Sequence, residues 1–412
     1  MGVLQSYVRY SCCVDEGEII MLTMDKVSLK DKIVLIREDF NVPMKNGHIT
    51  HTARIDAALP TIKQASEMGA KIILMSHLGR PEEGHFDAAF SLAPIATYLR
   101  ERLKQPVPLF QLGEALPAIK SGEVALLENV RFLAGEERNA SELAKKLAAL
   151  CDVFVMDAFA VAHRAQASTC GVAEFAPIAC VGPLLQKELD AIHSVLVNPL
   201  HPVVAIVGGS KVSTKLKLLT NLLDKVDVLV VGGGIANTFL AANGLPVGDS
   251  LFEPELVPTA KALLEKAKAQ HKTIWLPEDV VVAPDMEGTA TIKSCTHVEN
   301  GEKIFDIGPV SRQNLSTVIQ NAKTILWNGP VGVFEVPSFQ EGTKSLADAI
   351  AKSNAFSVAG GGDTLAAIEQ FQVEDNISYL STGGGAFLEA LEGKSLPAVA
   401  VLESRTKEKA AV

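Results

Sequence analysis

The sequence predicts an α/β protein of two doubly wound, Rossmann-like parallel-sheet domains joined by a hinge helix. Three observations predict it. At 412 residues the chain exceeds one ordinary core. Short β-branched runs alternate with longer helical patterns, the signature of parallel strands covered by helices. A proline-bounded amphipathic segment divides the chain near its middle, where Pro183 opens a stretch with Leu185, Leu189, Ile192 and Leu196 on one helical face, closed by Pro199 and Pro202.

In chain order, the first half offers strands at Ile33 to Ile36, Lys71 to Met75, Val124 to Leu127 and Val153 to Met156. The second offers Val203 to Val207, Val228 to Val231, Thr273 to Leu276, Lys323 to Trp327 and Phe356 to Ala359, each running into a glycine or polar turn. The expected organisation is an N-terminal extension over 1–23 that is disordered, a first domain over 24–182 and a connecting helix and hinge over 183–202. A second domain follows over 203–394. The start Met1, Gly2, Ser6 formally fits a myristoylation pattern, with Cys12 and Cys13 as second acylation points. Such short matches are common by chance, and the plainer reading is an appendage, with the regular chain beginning near Met21 or Met24.

Hydrophobic residues at 48% and charged residues at 21% exclude a disordered chain, and a formal net charge of −10 argues against nucleic acid or an anionic membrane as a general partner. An anionic ligand therefore needs a local positive patch. The apolar stretch around Val226 to Leu240 is broken by Asp227, three glycines and Asn237, so it is not a membrane span. Six cysteines lacking C-x-x-C spacing suit a reducing cytosol, giving a cytoplasmic expectation.

Open parallel sheets bind ligands at the carboxyl ends of their strands. In the first half those ends lead into Arg37, Asp39 and Asn41, into Ser76, His77, Gly79 and Arg80, into Asn129 and Arg131, and into Asp157, His163 and Arg164, while the next helix begins near Arg54. Forked guanidinium donors match carboxylate and phosphate oxygens, so five arginines on one rim of an acidic protein suit a small ligand carrying both. His77 and His163 are weaker candidates, because a lone histidine is more often a packing residue.

The second half differs. After Val207 come Gly208, Gly209, Ser210, Lys211, Val212, Ser213, Thr214 and Lys215, with the two lysines on one face of a helix starting there. Backbone amides of such a turn can hold phosphate, and a lysine can neutralise charge during transfer. From spacing alone a plain strand-to-helix turn fits equally well. No Walker A sequence is present, and no G-x-G-x-x-G of a nicotinamide-binding fold follows a strand. Asp363 is either a metal ligand or a helix N-cap, and Glu335 either a ribose contact or a solvated carboxylate.

Together REDFNVP (37–43), SHLGRP (76–81), ENVRF (128–132), DAFAVAHR (157–164), GGSKVSTK (208–215), WNGPVGVFE (327–335) and GGGDT (360–364) resemble the phosphoglycerate kinase family, in family order from about Met24 to Glu403. The resemblance implies reversible phosphoryl transfer from 1,3-bisphosphoglycerate to Mg-ADP, giving 3-phosphoglycerate and ATP in glycolysis and gluconeogenesis. It implies an acid site of Asp39, Phe40, Asn41, Arg54, His77, Leu78, Gly79, Arg80, Arg131 and Arg164. The implied nucleotide site comprises Gly209, Lys215, Gly233, Asn328, Glu335, Gly361, Gly362, Asp363 and Thr364, with Mg²⁺ at Asp363. Arg54, Lys211 and Lys215 are the implied catalytic residues. It further implies a monomer that closes about its hinge, with the segment 395–412 returning to the first domain. Ala160, Val161, Gln166, Ser210 and Asn237 depart from common family residues without removing an assigned role. The readings kept beside it are a nicotinamide-dependent dehydrogenase and an inactive nucleotide-binding homologue.

Overall fold

The computed structural model describes residues 7–10 and 19–410. Gly2, Ser6, Cys12 and Cys13, on which the lipidation pattern rests, lie outside the described residues. The chain divides into two compact units, one comprising 1–190 with 395–412 and the other Ala191–Lys394.

The first unit is built on a six-stranded parallel sheet in the order Ile178–Val181, Val153–Met156, Ile33–Arg37, Lys71–Met75, Val124–Leu127, Leu109–Phe110. Helices on the faces of a parallel sheet bury its strands on both sides, which explains why these segments read as continuous apolar runs rather than alternating ones. Val34, Ile36, Ile72, Leu74, Val124 and Leu126 sit in one core with Ile55 and Ile62 of the helix Ala53–Glu67 and Ile95 and Leu99 of the helix Ala93–Leu103.

The second unit repeats the plan in the order Thr273–Trp275, Val228–Gly232, Val203–Gly208, Thr324–Asn328, Phe356–Gly360, Tyr379–Ser381, all parallel. It adds a three-stranded antiparallel sheet of Thr291–Ser294, Asp279–Ala283 and Lys303–Ile307. The helix Pro183–Leu196 forms where the apolar face and its proline start required it, and the division between the units falls within it, at Asp190 and Ala191.

One expectation is corrected at the N-terminus. Ile19–Leu22 pairs antiparallel with Tyr7–Tyr10, Met21 is fully buried, and Thr23 forms a bridge with Val181 at the edge of the first sheet. Ordered chain therefore begins before Met24, because an apolar run at a sheet edge gains both burial and hydrogen bonds by pairing.

The last helix, Pro397–Ala410, belongs to the first unit. It buries Ala398, Val399 and Leu402, while Thr406 accepts a hydrogen bond from the Leu22 amide at 3.2 Å and Arg405 donates to the carbonyls of Glu174 and Ala176. Leu402→Ala is expected to destabilise this unit by about 2 to 5 kcal/mol, the usual cost of truncating a buried leucine. Urea denaturation checks this; a midpoint equal to that of the parent chain would refute the role given to the helix.

Candidate active site

Parallel strands send all their exit turns to one edge of a sheet, and in the first unit that edge collects the predicted acid-site residues. Arg54, on the first turn of its helix, donates from Nη1 to Asp39 Oδ2 at 2.9 Å and to the Asn41 carbonyl at 3.0 Å. Asn41 Oδ1 accepts from the Gly79 amide at 2.9 Å, and Arg131 Nη1 donates to the Gly79 carbonyl at 2.7 Å. Three separate exit turns are thereby laced together. Arg164 is half-buried, with Nε 3.3 Å from His163 Nε2, and Arg80 is exposed.

The charges here are left incompletely balanced. Burial, with Arg164 and Arg80 nearby, lowers the pKa of Arg131, whose Nε is buried without an acceptor. Burial followed by the guanidinium groups of Arg37, Arg131, Arg164 and Arg54 holds His77 well below the usual imidazole range. His77 is therefore neutral at physiological pH. It lies 3.9 Å from Asp39 Oδ1 and 3.4 Å from Arg37 Nη2.

Three sequence expectations change. Arg37 is fully buried and internal, donating to Ser168 Oγ at 3.0 Å and to the Glu38 carbonyl, so four arginines rather than five remain at the rim. Phe40 and Leu78 place their side chains in the apolar core, and their amides are engaged by Ser76 Oγ and Asn129 Oδ1. Their contribution to the site is to hold the turns. Both residues lie inside the motifs that carry the family resemblance, which is why the resemblance grouped them with the ligand contacts.

In the second unit the turn after Val203–Gly208 starts the helix Val212–Leu223, with Lys211 exposed at its N-cap. Lys215 folds back from the first turn, donating to the Gly208 carbonyl at 2.6 Å and to Asn328 Oδ1 at 2.8 Å. Burial pushes its pKa down to about 8, with Asp363 opposing the shift. Asn328 Nδ2 donates to the Gly360 carbonyl at 2.7 Å, and Thr364 Oγ1 accepts from the Gly329 amide at 2.8 Å. Asn328 and Thr364 thus brace neighbouring turns.

Two glycines are required by geometry. At Gly233 φ is +64° and an added Cβ would meet the Gly209 carbonyl oxygen at 2.7 Å. At Gly361 φ is +104° and the same atom would meet Asn328 Nδ2 at 2.8 Å. Such left-handed backbone in close contact admits little but glycine.

A cavity of about 360 Å³ opens beside these turns. Gly209, Gly233, Glu335 and Asp363 line it, whereas Lys215, Asn328, Gly361, Gly362 and Thr364 stand outside its lining. Sequence reasoning missed its apolar side, which includes Leu251, Met286, Ile304 and Val333. Ile304 belongs to the antiparallel sheet that the periodicity did not reveal. Asp306 also lines the cavity; burial pushes its pKa up to about 7, its Oδ2 accepts from the Gly342 amide at 2.7 Å, and its Oδ1 has no donor. An apolar slot edged by glycine turns and carboxylates is suited to a flat, polar-tailed ligand.

A sequence model of the phosphoglycerate kinase family matches residues 24–394. The chain belongs to this family. A phosphoglycerate kinase from Coxiella burnetii is 54% identical over 387 residues, covering 93% of this chain and 99% of that protein. The solved structure of phosphoglycerate kinase from the same organism superposes with a TM-score of 0.91 at 54% identity, covering 93% of this chain and 99% of the other. That of phosphoglycerate kinase from Pyrococcus horikoshii OT3 gives 0.78 at 33% identity, with 94% and 100% covered. Membership of the phosphoglycerate kinase family makes the chain a phosphotransferase with a carboxyl acceptor. No helix among the described residues is long and apolar enough to cross a membrane.

If the low pKa of Lys215 governs nucleotide use, kcat/KM for the nucleotide should fall as pH rises through about 8, because the folded chain then loses the ammonium charge. Lys215→Arg, charged throughout, should be slower yet lack that alkaline limb. A limb of equal position in both proteins, measured by initial rates from pH 6 to 10, would exclude Lys215 as its source.

Proposed function

We propose that the family reaction, reversible transfer of the acyl phosphate of 1,3-bisphosphoglycerate to ADP, runs in this chain with the acid on the first unit and the nucleotide on the second. The observation that carries the reading is the cluster of Arg54, Arg80, Arg131 and Arg164 around neutral His77, with the buried Arg131 Nε lacking an acceptor. Mutually repelling guanidiniums lower their energy by receiving an anion, and a ligand with a carboxyl and a phosphate supplies two.

Phosphoryl transfer asks little covalent chemistry of a protein and depends on alignment and charge neutralisation. Arg54 is tied by Asp39 and the Asn41 carbonyl, which orients its remaining donors toward the reacting carboxyl-phosphate group. Lys215, held against Gly208 and Asn328, stabilises the phosphoryl group in flight, and Lys211 adds charge at the helix start. Glu335 meets the ribose at the mouth of the cavity. Gly361, Gly362 and Thr364 present the start of the helix Gly362–Phe371 to the phosphates.

Magnesium fits this arrangement as a partner of the nucleotide. Among the described residues no group of three or more His, Cys, Asp or Glu side chains could hold a metal. Asp363 is exposed at a helix start on the cavity wall. A single carboxylate suits an ion that keeps water and takes its other ligands from substrate phosphates. When bound, magnesium offsets phosphate charge.

Among the described residues Cys151, Cys170 and Cys295 are buried thiols rather than disulfides, which supports a reducing compartment, and we assign the chain as a cytoplasmic monomer. The retained arginines and lysines speak against an inactive homologue, and the missing G-x-G-x-x-G against a dehydrogenase.

Arg164→Ala should weaken 3-phosphoglycerate binding by about 2 to 5 kcal/mol and leave ADP affinity almost unchanged. Lys215→Ala should instead lower kcat by roughly 10² to 10³. Calorimetry with each ligand and a coupled assay of ATP formation distinguish the two; equal losses for both ligands in Arg164→Ala would point to damaged folding and overturn the division of labour. Since in-line transfer needs reacting atoms within about 3 to 3.5 Å and water excluded, acid and Mg-nucleotide together should favour a closed state over either alone. Small-angle scattering showing one radius of gyration in the free, binary and saturated ternary states would end that closure hypothesis.

A further inference from the structure

Beneath the arginine rim lies a pair of buried carboxyls that the reaction does not use. Glu38 follows the strand Ile33–Arg37 and Asp157 follows Val153–Met156, and both are fully buried. Asp157 is well supplied with donors. Its Oδ2 accepts from Thr61 Oγ1 at 2.5 Å, and its Oδ1 accepts from the amides of Leu184 and Leu185 at 2.7 and 3.1 Å. Those two amides belong to the first turn of the helix Pro183–Leu196, whose N-terminal end favours negative charge. Packing is tight there, since a Cβ added at Gly182 would meet Asp157 Oδ1 at 2.2 Å.

Glu38 is in the opposite condition. Neither of its carboxyl oxygens has an N–H or O–H donor from another group. Its amide donates to the Met75 carbonyl and its carbonyl accepts from Arg37, so the backbone is fixed and the side chain cannot turn to water. Arg37 and Met156 are partners in the parallel register and the Asp157 amide donates to the Arg37 carbonyl at 3.0 Å, so Glu38 and Asp157 leave neighbouring strands side by side, close enough for each carboxyl to feel the other. Two ionised carboxylates repel and cannot hydrogen-bond, whereas one proton between them removes the repulsion and supplies the missing donor. The charged groups facing Glu38 are Arg37, Asp39 and Asp157; Glu136 and Arg131 act on Arg37 from behind.

We infer that Glu38 is a positioning residue that works in its neutral form, donating a hydrogen bond to the Asp157 carboxylate that holds the first turn of the helix Pro183–Leu196. Asp157 keeps the charge because the helix amides and Thr61 stabilise it, and Glu38 keeps the proton because nothing else does. Burial first, and Asp157 second, raise the Glu38 pKa well above the carboxylate range; burial brings Asp157 up to about 6 against the opposing Thr61 and amide hydrogen bonds. The device links the turn carrying Asp39 to the helix Pro183–Leu196, within which the chain passes from the first unit to the second. It rests on the proposed acid site only in its kinetic consequence.

The sign of the pH effect follows. The folded chain binds a proton that the unfolded chain releases near the usual carboxylate value, so this contribution to stability is complete below that value and is lost as pH rises through the folded Glu38 pKa. Glu38→Gln keeps an N–H donor without a titrating proton. Asp157, whose folded pKa of about 6 also lies above its ordinary value, contributes with the same sign in both chains, so above about pH 6, where Asp157 is ionised, the melting temperature of Glu38→Gln relative to the parent should climb, by about 2 °C or more up to about pH 8. Glu38→Leu, which has no donor, should melt below Glu38→Gln throughout, and the alkaline rise in KM for 3-phosphoglycerate that loss of this proton predicts in the parent, a parameter apart from the nucleotide limb of Lys215, should be reduced in Glu38→Gln.

A carbon-13 carboxyl titration of the glutamate-labelled parent chain needs no variant. Glu38 should remain protonated at about pH 7, where Asp157 is ionised, and an ionised Glu38 at that pH would overturn the inference. So would a melting difference that does not change with pH, or equal behaviour of Glu38→Gln and Glu38→Leu. Melting and carboxyl shifts are independent of catalysis, so failure of the acid-site assignment would leave both readouts intact.

Discussion

All the strands of each principal sheet run in one direction, and everything chemical in the molecule depends on that constraint. A parallel strand cannot turn directly into its neighbour, so a helix must carry the chain back, and each exit turn emerges at the same edge. Residues far apart in sequence, such as Asn41, Gly79 and Arg131, then meet through hydrogen bonds of 2.7 to 2.9 Å. In the second unit the same rule brings Gly208, Asn328 and Gly360 together, and Lys215 and Asn328 tie their turns to one another. The apolar strands supply the rigidity and the turns supply the chemistry.

The two edges handle charge differently. On the first unit burial, reinforced by neighbouring guanidinium groups, lowers the pKa of Arg131 and holds His77 well below the usual imidazole range. On the second unit a single lysine is drawn inward onto carbonyl oxygens and partly desolvated. The former arrangement suits a small, highly charged acid; the latter keeps one mobile charge ready beside an apolar slot. Asp39 moderates the first by pairing with Arg54, which fixes the arginine's direction without cancelling the field of its neighbours.

Much of this was legible in the residues. The nine strands read from β-branched runs are present with ends shifted by a residue at most, because strands buried on both faces leave an unbroken apolar mark. The connecting helix was legible from its proline start and apolar face. What escaped was partly structure with no such mark, such as the two-residue strand Leu109–Phe110 and the exposed strand Thr291–Ser294, and partly short apolar runs that lie outside the helix–strand alternation, Ile178–Val181 and the buried Asp279–Ala283 of the antiparallel sheet. Site residues were harder to sort, because a motif shows which residues travel together and not which way each side chain points. Arg37, Phe40 and Leu78 travel with rim residues yet are buried, Phe40 and Leu78 in the apolar core and Arg37 against Ser168 and the Glu38 carbonyl. Glu38 and Asp157 stand about 120 positions apart in the chain, and no spacing rule pairs them.

The return of the helix Pro397–Ala410 to the first unit also sets an order of events at the ribosome. The second unit is one continuous stretch, Ala191–Lys394, and can be completed as soon as it has emerged. The first unit must wait for the final residues, with roughly 200 residues synthesised in between, or about 10 to 40 s at ordinary elongation rates. Throughout that interval the surface later covered by Ala398, Val399 and Leu402 is open, and the Leu22 amide lacks Thr406. The first unit is therefore begun before the second and finished after it.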